Sequence, residues 1–305
     1  MKKISIGLSK QRKMDYLFVL VMLIIPIINF IIFWVVVNFN SILLAFQRMD
    51  ITTGKQYFTI ENFKALVNLF KTSELKNAFI NTLITSGFQI IFLVPWSFIL
   101  SYFLYKKLPL TGMWRVFLFL PSILPAIFLT GMFKYAVSST GGSPIGRLWE
   151  TLFNSQIPSL LVEKQYARWT VLAYFFLTNF GGQFILFSGA MSRVPKETLE
   201  AAKLDGVGLF REMFTIVLPL IWPTFSMILV LNVASIFTAT GPILLLTKGQ
   251  GDSSTIAYWI FDQVNDPGAS LYLPAALGLA CTAVLYPIIT FVRWIMGKVY
   301  SDVQY

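Results

Sequence analysis

The sequence predicts an all-α polytopic membrane protein with six transmembrane helices, and three observations support this prediction. The 305 residues are 56% hydrophobic and only 12% charged, which is far more apolar than a soluble domain of this length. Uncharged apolar runs of about 18 residues or more recur along the chain, and each is long enough to cross a hydrocarbon core as a helix. The 24 Lys and Arg residues fall between these runs and form no nucleic-acid-binding stripe.

The apolar runs set the positions of the spans. We place them at about residues 16–38, 78–104, 113–136, 169–191, 220–246 and 272–296. The first run follows a basic stretch, so the N-terminus superficially resembles a secretory signal; the basic residues are Lys2, Lys3, Lys10, Arg12 and Lys13. The run from Tyr16 to Val37 is too long for a signal-peptide core and has no A-x-A cleavage pattern, so we expect it to be retained as the first span.

Tryptophan positions give a second indication of the span ends, because indole prefers the headgroup level of a bilayer. Five tryptophans fall near predicted span ends: Trp34, Trp114, Trp169, Trp222 and Trp294. Trp96 lies in the middle of the second span beside Pro95, where we predict a packing role.

Positive charge predicts that both termini are cytoplasmic. The cytoplasmic set is then residues 1–15, 105–115, 191–219 and the C-terminal tail, and the external stretches are 39–77, 138–168 and 247–271. The cytoplasmic set holds about 14 Lys and Arg, against about 10 in external segments roughly half as long again.

Several functions are excluded by residue content. The chain has no histidine, which excludes Ser-His and Cys-His catalysis, and its one cysteine, Cys281, cannot form an intramolecular disulfide or a thiolate metal site. No predicted span carries an ionisable residue in its central part, unlike most ion-coupled carriers. No G-x-x-x-x-G-K-[ST] phosphate loop is present, so a transport cycle driven by ATP needs a separate ATPase.

The segment between the fourth and fifth predicted spans reads VPKETLEAAKLDGVGLFREMFTIVLPLIWP, from Val194 to Pro223. It predicts a helical hairpin. Pro195 suits a first helical turn, good helix formers follow from Lys196 to Leu204, and Gly206 supplies the backbone freedom to turn. A second helix is predicted from about Gly208 to Val217, ending before Pro219.

This segment resembles the EAA signature of binding-protein-dependent ABC permeases. The matching residues are Glu200-Ala201-Ala202, Asp205-Gly206, Ile216 and Leu218-Pro219. The resemblance implies the type I ABC importer permease fold, as a single transmembrane domain over residues 1–305. It also implies that the loop of about 191–219 docks as a coupling helix on an ATPase, through Glu200, Ala201, Ala202, Asp205, Gly206, Leu218 and Pro219. The alternative is an ordinary solvated amphipathic loop, because E-A-A by itself is common in helices.

Residue chemistry is compatible with that docking role. Small Ala201 and Ala202 allow close helix approach, and Glu200 and Asp205 offer acceptors to partner Arg, Lys or backbone N–H groups. A rigid protrusion of this kind passes motion on through packing, so Glu200 is expected to be a mechanical contact and not a base.

The wider chain, about residues 12–298, looks like the carbohydrate branch of this family. The similar segments are Tyr57–Leu66, Gly181–Arg193 and Leu244–Val264. The family often shows Thr-x-Gly-Gly-Pro in the last of these, whereas this chain has Thr247 followed by Lys-Gly-Gln-Gly. The C-terminal sequence resembles the maltose-F-like subunit type.

The resemblance also implies partners and a location. It implies a second, different permease subunit, two copies of a cytoplasmic ATPase and an extracytoplasmic solute-binding protein, in a bacterial inner membrane. No cofactor is expected on this chain, and ATP and Mg belong to the ATPase subunits.

A neutral polyhydroxyl solute needs hydrogen-bonding groups and aromatic faces without a fixed charge. Asn179 and Gln183 are spaced i, i+4 and can share one helix face, and Asn232 and Ser235 are spaced i, i+3. These four residues are the candidates for the solute path. For each of them the alternative is an interhelical hydrogen bond that holds the bundle together.

Other functions remain as alternatives. The same kind of permease could carry a phosphorylated polyol, a polyamine or a peptide, although buried charges that would favour the first two are not seen. Half of a secondary carrier is disfavoured by the six-span length and by the lack of buried charge. An intramembrane enzyme would need a nucleophile with a base, or a metal cluster, and no such constellation appears.

Overall fold

A computed structural model describes residues 10–50, 54–107, 109–139, 142–179, 181–238 and 241–300. Lys2 and Lys3 of the predicted basic stretch lie outside the described residues. The chain divides into two compact units, one from residues 1–66 with 270–279 and the other from residues 67–269 with 280–305.

The described residues are mostly helical. The first part of the chain contains α1 Lys10–Phe30, a π-helix Ile31–Val36, α2 Val37–Ala45, β1 Gln47–Met49, β2 Gln56–Phe58 and α3 Glu61–Leu69. The middle part contains α4 Ser73–Gly87, a π-helix Phe88–Leu93, α5 Val94–Tyr105, α6 Thr111–Ile123, α7 Ala126–Ala136, α8 Pro144–Phe153, α9 Ala167–Asn179 and α10 Phe184–Met191. The last part contains α11 Lys196–Leu204, α12 Leu209–Glu212, a π-helix Met213–Val217, α13 Leu218–Leu220, α14 Trp222–Ala234, α15 Gly241–Leu246, a 3₁₀ turn Gln250–Asp252, α16 Ile256–Asn265 and α17 Tyr272–Val299.

Four helical segments of the described chain are long and apolar enough to cross a membrane: Met14–Ala45, Ser73–Tyr105, Tyr272–Val299 and Ala167–Met191, the last of which consists of α9 and α10. Two bent helix pairs bring the number to six if each pair is one span, namely Thr111–Ile123 with Ala126–Ala136 and Leu209–Leu220 with Trp222–Ala234. The predicted all-α, polytopic architecture is therefore confirmed, and the predicted number of spans is reached when the bent pairs are counted.

The first span is longer than predicted. Its helix continues past residue 38 to Ala45, so Trp34 lies inside the span and not near its end. Two polar side chains near the end of this helix bond to the preceding turn, as such residues often do inside helices. Asn38 Nδ2 donates to the carbonyl of Trp34 at 2.6 Å, and Ser41 Oγ donates to that of Val37 at 2.9 Å.

The third predicted span, 113–136, is not one straight helix. The chain turns by 103° between Ile123 and Ala126. Leu124 has an extended backbone and precedes Pro125, whose ring disfavours the helical conformation for the residue before it. The fifth predicted span, 220–246, is also interrupted, since α14 ends at Ala234 and α15 begins at Gly241.

The segment around Pro219 also differs from the prediction. The second helix of the predicted hairpin does not end before Pro219 but runs on to Leu220, and the 79° bend comes only at Ile221. The π-helix Met213–Val217 precedes the proline, and the helix is wider there than a regular α-helix. This wider turn accommodates a residue that lacks an N–H group and would otherwise clash with the carbonyl four residues earlier.

In the smaller unit, β1 and β2 form a short antiparallel hairpin. Asn62 of α3 is buried and donates to the carbonyls of Ala45 and Gln47, at 3.0 and 2.8 Å. One amide group thus fixes α3 against the end of the first span and the start of the hairpin.

The largest buried cluster of the other unit forms where the second and fourth spans meet the segment before α14. Phe98 and Phe187 pack edge to face with ring centroids 5.8 Å apart, and Met213, Val217 and Ile228 complete the centre of the cluster. This core holds the segment that carries the EAA motif.

Candidate functional site

The first candidate site is the EAA hairpin, which we define as residues 194–221. Its first helix, α11, follows Pro195 directly, so the proline precedes the helix and does not form its first turn as predicted. The helix ends in a Schellman motif: Val207 N–H donates to the carbonyl of Ala202 at 3.0 Å, and Gly206 N–H donates to that of Lys203 at 3.2 Å. Gly206 has φ +71°, the left-handed conformation that glycine adopts without strain.

The outer surface of the hairpin is open. Glu200, Ala201, Asp205 and Gly206 are exposed, whereas Ala202 is buried against the rest of the chain. Leu204 is 89% exposed, which leaves an apolar side chain at the tip. The two alanines therefore occupy different environments, and only Ala201 is available to a partner surface.

Leu218 and Pro219 lie at the inner end of the hairpin and are half-buried. Leu218 packs against the cluster that contains Phe98 and Phe187. The matched residues of the motif thus divide into an exposed group on α11 and an anchoring group in the core.

Sequence reasoning missed the polar anchor of the hairpin. Glu212 is only 3% exposed, and its Oε1 lies 2.5 Å from Nζ of Lys106, which follows the end of the second span. Tyr102 Oη donates to the carbonyl of Leu209 at 3.0 Å. A signal was present in the sequence, because Glu212 falls between Leu209 and Met213 on the apolar stripe of its helix, where a carboxylate needs a buried partner.

The second candidate site is a cavity of about 600 Å³ in the larger unit. Residues from all three interrupted spans line it: Leu124 at the bend of the third, Asn179 and Gly182 at the break of the fourth, and Thr238 and Pro242 at the break of the fifth. Irregular backbone inside a membrane is tolerated where it lines a cavity or is buried in protein. The breaks of all three spans therefore contribute residues to one cavity.

The lining of this cavity is apolar with a few neutral polar groups. Ser122, Thr178, Asn179 and Thr238 supply hydroxyl and amide groups, and Phe175 supplies an aromatic ring. Among the described residues that line the cavity, none is charged. In the described part of the chain, no group of three or more His, Cys, Asp or Glu side chains could hold a metal ion.

Asn179 and Gln183 do not share a helix face, contrary to the sequence prediction. Helix α9 ends at Asn179, and α10 begins only at Phe184. Gly181 lies in this break and packs closely against α6. An added Cβ there would lie 2.4 Å from the carbonyl oxygen of Leu118. Asn179 lines the cavity, whereas Gln183 is half-buried at the start of α10 and is not among the described lining residues.

The predicted pair on the fifth span makes hydrogen bonds within the bundle. Asn232 is buried, its Oδ1 accepts from Gln89 Nε2 at 2.7 Å, and its Nδ2 donates to the carbonyl of Ile228 at 2.8 Å. Ser235 Oγ donates to the carbonyl of Asn232 at 2.9 Å. Neither is a described lining residue of the cavity, so these contacts match the interhelical alternative for Asn232 and a helix-end role for Ser235.

Comparison with known proteins identifies the family of the chain. The profile of the family described as binding-protein-dependent transport system inner membrane component matches residues 75–304. This match contains the EAA hairpin and all described residues that line the cavity.

Individual relatives cover different parts of the chain. A probable ABC transporter permease of Mycoplasma genitalium is 27% identical over 267 residues, which is 81% of this chain and 77% of that protein. An sn-glycerol-3-phosphate transport system permease of Agrobacterium fabrum is 30% identical over 128 residues, 42% of this chain and 41% of that protein. An alpha-glucoside transport system permease of Rhizobium meliloti is 25% identical over 185 residues, 57% of this chain and 53% of that protein.

The fold is also similar to a solved structure. A chain in the crystal structure of a bacterial alginate ABC transporter, in complex with an alginate pentasaccharide-bound periplasmic protein, superposes with a TM-score of 0.82 at 21% identity. The match covers 97% of this chain and 99% of that chain.

Proposed function

Because this chain belongs to the family of inner membrane components of binding-protein-dependent transport systems, we propose that it is one of two permease subunits of an ATP-driven carbohydrate importer. A second, different permease subunit completes the membrane channel. An extracytoplasmic binding protein delivers the solute, and two cytoplasmic ATPase subunits, which bind ATP and Mg, drive alternating access.

The uncharged cavity carries the proposal on the solute. Hydroxyl and amide groups from Ser122, Thr178, Asn179 and Thr238 can exchange hydrogen bonds with sugar hydroxyls, and the ring of Phe175 can pack against an apolar sugar face. Tyr174 adds ring surface, and its hydroxyl also shares a 2.9 Å hydrogen bond with Thr130. The cavity volume lies within the range of small-molecule sites.

A phosphorylated polyol is the second candidate solute, since one relative belongs to an sn-glycerol-3-phosphate transport system. A phosphate dianion calls for Arg or Lys. The described lining residues of the cavity include neither. This chain therefore favours a neutral sugar, in keeping with the relative from an alpha-glucoside system.

The EAA hairpin supports the proposal on energy input. We assign ATPase docking to its exposed group, Glu200, Ala201, Asp205 and Gly206, with Leu204 as an apolar contact at the tip. The contacts of Glu212 with Lys106 and of Tyr102 with Leu209 join this protrusion to the end of the second span. Motion of the ATPase would then move the second span together with the hairpin.

This assignment sets the orientation of the chain. The hairpin must face the cytoplasm to reach an ATPase, which places both termini on the cytoplasmic side and agrees with the distribution of Lys and Arg.

The test is transport by the assembled complex in liposomes, with the binding protein and ATP supplied. Uptake is measured for a glucoside, a mannoside, an oligosaccharide and sn-glycerol 3-phosphate, alongside solute-stimulated ATP hydrolysis. Phe175→Ala is compared with Phe176→Ala, the neighbouring phenylalanine that is not among the described lining residues.

We expect uptake of a neutral sugar, with a higher half-saturation concentration in Phe175→Ala and a normal one in Phe176→Ala. Uptake of sn-glycerol 3-phosphate in preference to all sugars would overturn the carbohydrate assignment and leave the permease assignment in place. Hydrolysis without any uptake, in a complex that assembles, would contradict the permease role itself.

A further inference from the structure

Helix α8 is an amphipathic helix outside all the candidate spans. Its apolar residues recur at helical spacing, with Ile145, Leu148, Trp149 and Leu152 at i, i+3, i+4 and i+7. Arg147, Glu150 and Thr151 fall on the other side of the helix. A ten-residue helix therefore carries one apolar face and one polar face.

The apolar face is uncovered in the described structure. Leu148, Leu152 and Phe153 are 63%, 74% and 61% exposed. Trp149 packs against Phe153 with ring centroids 4.5 Å apart, and its Nε1 donates to Ser155 Oγ at 3.3 Å. The polar atom of the indole is thus satisfied while much of the surrounding apolar surface remains open.

Hydrogen bonds fix α8 beside the end of a span. Ser143 Oγ donates to the carbonyl of Ser138 at 2.7 Å and accepts from Gly146 N–H at 3.1 Å. Ser138 is the second residue after Ala136, the last residue of α7. Gly146 is buried, and an added Cβ would lie 2.4 Å from Ser143 Oγ. These contacts therefore hold the start of α8 close to the end of α7.

We propose that α8 lies along the membrane surface, with its apolar face in the headgroup and upper acyl region of the leaflet at which α7 ends. Amphipathic helices of this kind insert their apolar side to a depth of about 5–10 Å. The last turns of α7 also expose apolar side chains, Met132 and Tyr135, so apolar surface leads from the span into α8. Arg147 stands on the exposed polar side, where lipid phosphates are within reach.

Lipid fits the observations better than a protein partner does. The level of α8 is set by the end of a span, and its apolar stripe carries a tryptophan, the residue that prefers this layer of a bilayer. The proposal depends on the third span crossing the membrane and does not depend on which solute is carried.

The test uses nitroxide labels on the complete complex in lipid bilayers. Leu148→Cys and Leu152→Cys place a label on the apolar face, and Arg147→Cys and Thr151→Cys are the matched controls on the polar face. The native Cys281 is buried, and the parent chain reports any label that it takes up. Collisions with oxygen, which dissolves in lipid, are compared with collisions with a water-soluble nickel chelate.

We expect an oxygen-to-nickel collision ratio several-fold higher at positions 148 and 152 than at 147 and 151. Equal access of the nickel chelate to all four labels would place α8 in water and overturn the proposal. Labels at 148 and 152 that are shielded from both reagents would show that a protein covers this face, which overturns it as well. Normal ATP-driven uptake by each labelled complex verifies that the variants are assembled.

Discussion

The EAA hairpin and the cavity belong to the same compact unit and are built in opposite ways. The hairpin is one continuous stretch, residues 194–221, with two helical arms, a Schellman turn and a partly buried ion pair that joins it to the second span. The cavity is formed where three spans lose their regular helices, and no described residue in its lining is charged. The hairpin is suited to transmit motion as a rigid body, and the cavity is suited to hold an uncharged solute.

The contrast leads to different expectations for variants. Damage to the hairpin should separate ATP hydrolysis from transport and leave the apparent affinity for solute unchanged. Damage to the cavity should change the apparent affinity or the packing of the spans and leave the hairpin intact. Four comparisons of variants test this division, from the largest expected effect to the smallest.

Glu212→Ala should have the largest effect, because it leaves the Lys106 ammonium without its buried partner. Removal of one partner from such an ion pair lowers the free energy of unfolding by about 3 kcal/mol. This value is the lower end of the usual range, because the Lys106 side chain is 25% exposed. We expect a lower unfolding temperature of the purified chain and a loss of solute-stimulated ATP hydrolysis.

The control for Glu212→Ala is the double variant Lys106→Met, Glu212→Leu, which replaces the ion pair with apolar contacts and should recover most of the stability. An unchanged unfolding temperature in Glu212→Ala would show that the ion pair does not anchor the hairpin.

Gly181→Ala tests the break in the fourth span. Its Cβ would lie 2.4 Å from the carbonyl oxygen of Leu118, so α6 must move away. Overpacking of this kind lowers the free energy of unfolding by about 1–3 kcal/mol. We also expect weaker apparent solute affinity, because the cavity changes shape.

Gly189→Ala in α10 is the matched control for Gly181→Ala, because nothing lies within 4 Å of an added Cβ there and Gly189 is not among the described lining residues. The thermal midpoints and half-saturation constants of the two variants are compared. Equal values for Gly181→Ala, Gly189→Ala and the parent would show that the close approach to α6 is not needed.

Gly206→Val tests the turn of the EAA hairpin. Nothing in this chain lies within 4 Å of an added Cβ, so the effect within the chain comes from the left-handed backbone. That conformation costs an L-residue about 1–2 kcal/mol. We expect fewer solute molecules transported per ATP hydrolysed, with unchanged half-saturation.

Gly206→Asn keeps a residue that tolerates positive φ and should retain most of the coupling. A Gly206→Asn variant as defective as Gly206→Val would point to a contact of the glycine itself with the ATPase, and not to the turn.

Asn179→Ala and Asn232→Ala should have the smallest effects. The first should change the apparent affinity for solute, and the second should change the stability of the protein. Loss of a solute hydrogen bond at Asn179 should raise the half-saturation concentration about 2- to 10-fold. Loss of the Asn232–Gln89 bond should instead lower stability by about 0.6 kcal/mol. Transport kinetics and thermal unfolding of both variants give the comparison. The reverse pattern would assign the solute contact to Asn232.

The sequence by itself determined the features that depend on residues close together along the chain. Apolar runs of membrane length predicted the spans, because hydrophobic burial and backbone satisfaction act on each segment separately. The hairpin was also predictable: Pro195 and Gly206 bound the first helix through their own backbone preferences. The continuation through Pro219 was not predicted, since the π-turn before it follows no simple propensity.

The tertiary structure alone decided which distant residues meet. Asn179 and Gln183 have the spacing of one helix face, yet the approach of Gly181 to Leu118 accompanies a break between them. Asn232 pairs with Gln89, and Glu212 with Lys106, through packing of separate spans. A hydrophobic period shows that a face is buried but does not identify the helix that covers it. The cavity and the anchor of the hairpin therefore depended on how the spans pack.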